Sequence, residues 1–207
     1  MKTLKILTVL TLLVAFTAFA FKSDILEESG KASCGEIGAQ AAQFQLMDCR
    51  GKKWGFDDFP EAKGFILVFT SKKCAFSRVY EKRIANLNKK YGPKGFPVIT
   101  VDPLMESFVL QKQKGKEQQK ERNYPLLADP GAAIFRKYGA DKIPQAFVLH
   151  RKNGKMIIEY KGAIDSHYRH SSSAKQQYVA SAVDALLKGE EMAITSTRST
   201  GCPVPSS

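Results

Sequence analysis

Cysteine is the residue type in this chain best suited to do chemistry, and there are four: Cys34, Cys49, Cys74 and Cys202. A thiolate attacks disulfides and peroxides, and the charge and hydrogen bonding around a cysteine decide whether it ionises near neutral pH. Cys74 has the most telling surroundings. It follows Thr70-Ser71-Lys72-Lys73, and after it Phe76, Val79, Tyr80, Ile84, Leu87 and Tyr91 recur three or four residues apart, the period of an amphipathic helix. Before it, Phe65-Ile66-Leu67-Val68-Phe69 is an unbroken apolar run, as expected of a strand buried on both faces. Cys74 therefore falls where a strand hands over to a helix. Backbone N–H groups and the positive end of the helix dipole favour a thiolate there, and Lys72 and Lys73 add positive charge. A small, inert, buried hydrophobe would also suit this position, so placement alone leaves both readings open.

Other candidates are weaker. His167 and His170 could share one helical turn, with His150 as a third ligand, but no thiol or carboxylate spacing reinforces them, so we expect solvated loop histidines and no metal. Asp165 reads as a turn residue first, and Trp54 as packing.

The elements that must position Cys74 read in order along the chain. Gln43 to Met47 alternates like a short strand, and a turn at Asp48–Lys52 leads to a second extended piece from Trp54 to Phe59. The strand and helix around Cys74 follow, stopped by Gly92-Pro93-Lys94-Gly95. Phe96 to Val101 is a second buried strand, and a polar, lysine-rich helix is expected over Glu106–Arg122. A strand–helix–strand order argues for a parallel pair with a right-handed crossover. A short extended piece, Tyr124–Asp129, and a helix, Ala132–Tyr138, come next. Pro144 then heads a strand to Leu149, and Asn153-Gly154 folds it back onto Met156–Lys161 as a hairpin. A last helix is expected over Ala174–Lys188, closed by Gly189. The Ser-, Thr- and Pro-rich residues 190–207, which carry Cys202, read as a flexible tail.

Lys2 and Lys5 precede an apolar run from Ile6 to Phe19, with Ala18-Phe19-Ala20 at the spacing of a signal-peptidase site. Residues 1–20 are thus expected to be a cleaved signal peptide, 21–33 a leader, and 34–189 the folded domain. Export to a periplasmic or extracellular space would let disulfides persist, and four cysteines allow three full pairings that sequence does not rank. The 207 residues, 43% hydrophobic and 25% charged, suffice for one domain with a sizeable core. The formal charge of +12 is scattered, densest over Lys112–Arg122, and no nucleic-acid signature accompanies it. It implies a solvated surface with at most weak attraction to anionic membrane components.

Together these elements have the order of a thioredoxin fold: α/β, with a central mixed sheet flanked by helices and an N-terminal strand extension. The sequence resembles exported thioredoxin-like redoxins related to the alkyl hydroperoxide reductase/thiol-specific antioxidant group. The matching pieces are Phe44, Leu46 and Gly51, the run LVFTSKKCAFSRVYEKRI, YGPKGFPVITVDP, Ile143-Pro144 with AFVL, YKGAID, and Gly201-Cys202. The resemblance implies a thiol redox site at the start of the central helix, facing a cis-proline loop, with no cofactor. Where relatives carry T-C-x-x-C-P, this chain has Thr70-Ser71-Lys72-Lys73-Cys74-Ala75, so dithiol exchange within that motif is closed to it.

Three functions follow. The first is a thiol–disulfide oxidoreductase acting on protein or small-molecule thiols and disulfides, in which Cys74 attacks and a distant cysteine resolves. Cys202 is the first candidate, since about 13 residues beyond Gly189 span up to about 40 Å at roughly 3.3 Å each. Cys34 is the second. Ser71 would hydrogen-bond the thiolate, while Thr70, Ile143 and Pro144 would bind substrate. The second is a thiol peroxidase, with Ser71-x-x-Cys74 resembling the T-x-x-C of peroxiredoxins. Against it, Leu67 replaces their proline, Pro144 stands near where they carry an arginine, and only Arg78 or Arg151 could substitute. The third is a non-catalytic redoxin scaffold.

Overall fold

The computed structural model describes residues 35–105, 122–167 and 175–205. Every described residue lies in one compact unit, Ala32–Ser207. The expected signal peptide, leader and helix over 106–121 lie outside the described residues, as do Cys34 and His170.

Five strands form the central sheet. β3 (Gly64–Phe69) is its middle strand and is buried at every position. Parallel to it runs β4 (Val98–Asp102), and beyond β4, again parallel, β5 (Leu126–Ala128). On its other side β7 (Gln145–Lys152) pairs antiparallel, followed by β8 (Lys155–Gly162) across the Asn153-Gly154 turn, where Asn153 and Gly154 both take positive φ. The mixed sheet is as expected. The N-terminal extension is a hairpin of β1 (Leu46–Met47) and β2 (Lys53–Trp54).

Strand period divides the core. Phe65, Leu67 and Phe69 point to one face and meet Phe44, Phe56, Phe135, Tyr138 and Phe147. Ile66 and Val68 point to the other, where Tyr80, Ile84, Leu87 and Tyr91 of α1 (Ala75–Tyr91) meet them with Val179, Ala182 and Val183 of α3 (Tyr178–Lys188). The short α2 (Ala133–Lys137) covers the first face. Burying such aromatic side chains is the main stabilising term, about 1.5–3 kcal/mol each.

Two expectations are corrected. The last helix begins at Tyr178 rather than Ala174, because Gln177 at its cap has φ −106° and ψ 76°, outside the helical region. The tail beyond Gly189 is not free. Lys161 donates its N–H to Thr195 O and accepts from Thr197 N–H, and the Thr197 and Tyr160 hydroxyls lie 2.6 Å apart. Gly162, at φ +144°, gives Thr197 room, since a Cβ there would run into its backbone. The tail then ends in β9 (Cys202–Pro203), antiparallel to β6 (Lys142–Ile143). A segment without apolar periodicity has docked through its backbone.

Candidate functional site

β3 delivers the chain to the site. Thr70, just beyond it, donates its N–H to Val101 O on the neighbouring strand (2.9 Å), which fixes where the strand stops. A tight turn follows, with Cys74 N–H on Ser71 O (3.1 Å) and Lys73 N–H on Ser71 Oγ (3.2 Å). Cys74 is the N-cap residue of α1, extended at φ −101° and ψ 124°, and its carbonyl accepts the Arg78 N–H at 3.2 Å. It fills the place usually held by Ser, Thr or Asp but makes no capping hydrogen bond of its own. No acidic residue lies in the first turn, and Lys72 and Lys73 are exposed beside it. Helix dipole and cations would favour a negative charge on this sulfur, against the cost of its burial in the closed structure.

Cys74 is joined to Cys202 by a disulfide across 128 positions of sequence. β9 presents Cys202 by pairing with Ile143, and the Ile143–Pro144 peptide bond is cis. Ile143 O lies 3.3 Å from Cys74 Sγ; a bonded sulfur carries no proton, so this is a van der Waals contact rather than a hydrogen bond. The approach of the tail is close. A Cβ on Gly201 would meet Ile143 O and lie 2.6 Å from the Ile143 carbonyl carbon and 3.2 Å from Pro144 N. Cys74 is 1% exposed, whereas Cys202 is half-buried and Pro203 beside it is exposed. Cys49 is buried and unbonded, and burial, then the charge of Asp48, pushes its thiol up, so it is a poor nucleophile.

The structure thus brings Cys74, Cys202, Ile143 and Pro144 together. Ser71 stands otherwise than expected. Its hydroxyl, 3% exposed as a residue, accepts from Lys73 N–H and pairs with the Asp102 carboxylate at the end of β4. It shapes the turn that holds Cys74 rather than touching the sulfur. Burial raises Asp102 above the usual carboxylate range, opposed by hydrogen bonds from Leu104 N–H and Ser71 and by the charge of Lys73.

Sequence reading missed Ser77. It lies one turn inside α1, 1% exposed, and its Oγ accepts the Ser71 N–H at 3.3 Å. With Cys74 at the cap, Ser77 holds the inner position of a three-residue spacing across the helix start. Asp165 is also more than a turn residue. Its buried carboxylate accepts from Tyr80 OH (3.1 Å) and pairs with Arg83 Nη1 (2.8 Å), bordering a cavity of about 270 Å³ that also touches Pro144, Tyr178 and Arg198. Burial, then the Asp165 charge, raises the Tyr80 phenol. The two arginines considered for peroxide are engaged elsewhere. Arg78 Nη1 donates to Lys72 O, and Arg151 Nε donates to Ala62 O from the opposite end of β7 to Pro144.

Residues 37–167 match the model of the AhpC/TSA family. The chain belongs to that family. The thiol-disulfide oxidoreductase ResA of Bacillus thuringiensis is 32% identical to this chain over 130 residues, which cover 61% of this chain and 70% of that protein. Two solved structures share the thioredoxin-like fold at lower identity. A hypothetical protein of Sinorhizobium meliloti superposes with a TM-score of 0.70 at 22% identity, over 82% of this chain and 93% of its own. The exposed lipoprotein thioredoxin of Streptococcus pneumoniae gives 0.51 at 18%, over 72% and 99%. The Cys74–Cys202 pair is thus a sulfur pair at the helix start of a redoxin.

Proposed function

We propose that this chain is a thiol–disulfide oxidoreductase whose redox pair is Cys74 and Cys202. The observation that carries the reading is the disulfide between a helix-capping cysteine and a tail cysteine docked on the Ile143–Pro144 edge. In the reduced protein the Cys74 thiolate attacks one sulfur of a substrate disulfide, forming a mixed disulfide and expelling the other substrate sulfur as a thiolate. The Cys202 thiolate then attacks Cys74 Sγ, closing the internal bond and releasing the second substrate thiolate. Substrate gains two electrons and the protein dithiol gives them up, so no cofactor is required. Once the tail strand lifts from Ile143 in the reduced protein, Ile143 and Pro144 offer the backbone edge on which an extended substrate segment lies, with Thr70 as a further substrate contact beyond the end of β3. Ser71 acts through the turn it braces. Ser77 in the inner position supplies a hydroxyl, which cannot exchange disulfides, and leaves resolution to the tail.

Substrates are protein or small-molecule thiols and disulfides. The domain spans residues 34–189, with residues 190–207 as a docking tail. The protein is exported, with residues 1–20 removed and 21–33 as a leader. Lys2, Lys5 and the apolar run Ile6–Phe19 support this, as does a disulfide of the kind that persists in oxidising compartments.

The test is alkylation with mass mapping before and after mild reduction, coupled to turnover of a model disulfide. Cys74 should be protected when oxidised and should react with iodoacetamide near neutral pH once reduced. The wild type should reduce the model disulfide, and Cys74→Ser should not. A Cys74 inert in both states would leave a scaffold without redox chemistry.

A further inference from the structure

Several exposed cations on this surface stand beside carboxylates. Lys90 lies 3.2 Å from Asp184, Lys152 2.6 Å from Glu159 and Lys161 3.2 Å from Glu36. Around the sulfur pair the pattern changes. Lys72 and Lys73 are exposed in the turn before Cys74, and Arg78 is exposed at the start of α1, its Nη1 donating to Lys72 O at 3.1 Å. Lys142 pairs through β6 with Pro203, next to Cys202, and the exposed Arg198 borders the cavity beside Pro144. Among the described residues none of these side chains pairs with a carboxylate, and Lys73 Nζ donates to the Leu104 backbone oxygen instead, at 2.9 Å.

Residues 70–78, 141–144 and 198–205 supply both sulfurs and the edge between them. In these stretches five cations face one carboxylate, Asp141, an excess of four positive charges. Asp102 and Asp165, which approach from elsewhere, are buried, the first against the Ser71 hydroxyl and the second against Arg83. Like charges gathered at the rim of a site repel one another, and their potential draws in a partner of the opposite sign. Arg198 holds its place when the last strand lifts. Thr197 before it donates its N–H to Lys161 O at 3.0 Å, and its Oγ1 accepts from Ala163 N–H at 2.9 Å, so the tail is pinned up to that point. The cavity of about 270 Å³ that Arg198 borders also touches Ser166, Tyr178 and Thr200, whose hydroxyls are able to donate to a carboxylate.

We infer that the disulfides this protein reduces lie in acidic peptide segments, recognised by the charge of Lys72, Lys73, Arg78, Lys142 and Arg198. This rests on the oxidoreductase reading above and names its substrate class. A segment paired with Ile143 has cations on the Cys74 turn, on β6 and on the pinned part of the tail. The chemistry is unchanged: one peptide disulfide gains two electrons and becomes two thiols, while the Cys74 and Cys202 thiols give them up and close. Lys72 and Lys73 also favour the Cys74 thiolate and so act on every substrate alike. Lys142 and Arg198 belong to neither the turn nor the helix, and they set the preference for acid.

The experiment is single-turnover reduction, by the full chain with its dithiol reduced beforehand, of disulfide-linked peptide dimers of equal length in which cysteine is flanked by Glu, by Gln or by Lys. Closure of the Cys74–Cys202 bond is followed by mass after acid quench. Wild type is compared with the double variant Lys142→Glu, Arg198→Glu, so that the intrinsic reactivity of each peptide cancels. At low salt the variant should lose about tenfold or more on the Glu peptide, stay within about twofold on the Gln peptide and gain on the Lys peptide. In wild type, salt at about 0.5 M, which screens exposed charges beyond about 4 Å, should remove most of the advantage of Glu over Lys, and this series decides alone if the variant does not fold. Equal losses on all three peptides, or a Glu-to-Lys ratio that the variant or salt fails to move, would overturn the acidic preference and leave the oxidoreductase reading standing. Failure of wild type to reduce any of the peptides would overturn that reading itself.

Discussion

The tail reaches Cys74 only because residue 201 has no side chain, and Gly201→Ala makes that measurable. An added Cβ would run into the Ile143 carbonyl and lie 2.6 Å from its carbon, and backbone at both sides of the contact has little freedom to yield. The tail should therefore lift from the edge. Losing the ladder of Cys202 and Pro203 with Ile143 and Lys142 costs on the order of 1–2 kcal/mol. Uncovering part of Val204, which packs against the core cluster holding Cys74, adds about 1 kcal/mol. Together these weaken closure of the internal disulfide by about 2–3 kcal/mol, a shift of about 30- to 150-fold at 1.4 kcal/mol per decade. The assay is equilibration of wild type and variant in glutathione redox buffers, with the Cys74–Cys202 form counted by mass after acid quench. The variant should need a correspondingly more oxidising buffer, and mixed disulfides with glutathione should accumulate where the wild type closes. An equilibrium within about threefold of wild type would refute the reasoning, because the close approach of Gly201 to Ile143 would then be unnecessary for closure.

Three other outcomes are expected. Reducing the Cys74–Cys202 bond, which spans 128 positions, should lower unfolding free energy by up to about 5 kcal/mol on the chain-entropy account, read from urea unfolding with and without dithiol. Ser77→Cys combined with Cys202→Ser should restore dithiol turnover that Cys202→Ser alone lacks, through a new bond from Cys74 to the sulfur introduced at position 77, detected by mapping; absence of that bond would show that the inner helical position cannot reach the cap. The raised pKa of Asp102 means that its unfolded form ionises first as pH rises from about 4, so stability is lost up to the folded pKa. Asp102→Asn should remove that loss, and its unfolding free energy relative to wild type should climb with pH across this window and then level off; a difference independent of pH would count against the burial of an ionised Asp102.

Much of the fold was legible because it rests on local, repeating signals. The apolar run Phe65–Phe69, the change to helical period after Cys74 and the Asn153-Gly154 turn each follow from the geometry of one element, and they set Cys74 at a helix start. Pro144 at the head of a strand was likewise visible.

The tertiary structure decided what depends on meetings across the chain. The partner of Cys74 lies 128 residues away, in a segment whose Ser-, Thr- and Pro-rich composition carries no amphipathic pattern, because it docks by backbone pairing and one covalent bond. Ser77 escaped notice because a small hydroxyl adds nothing to an apolar stripe, and its burial arises only when the Ser71 turn folds over it. Ser71 itself was found in the sequence, but its partner was not, since Asp102 arrives from the next strand. Sequence alone thus set a cysteine at the mouth of a helix, by periodicity within a few turns of chain. Only the folded chain chose its sulfur partner and the buried hydroxyl of Ser77 in the next turn, because those are meetings between residues that no local pattern relates.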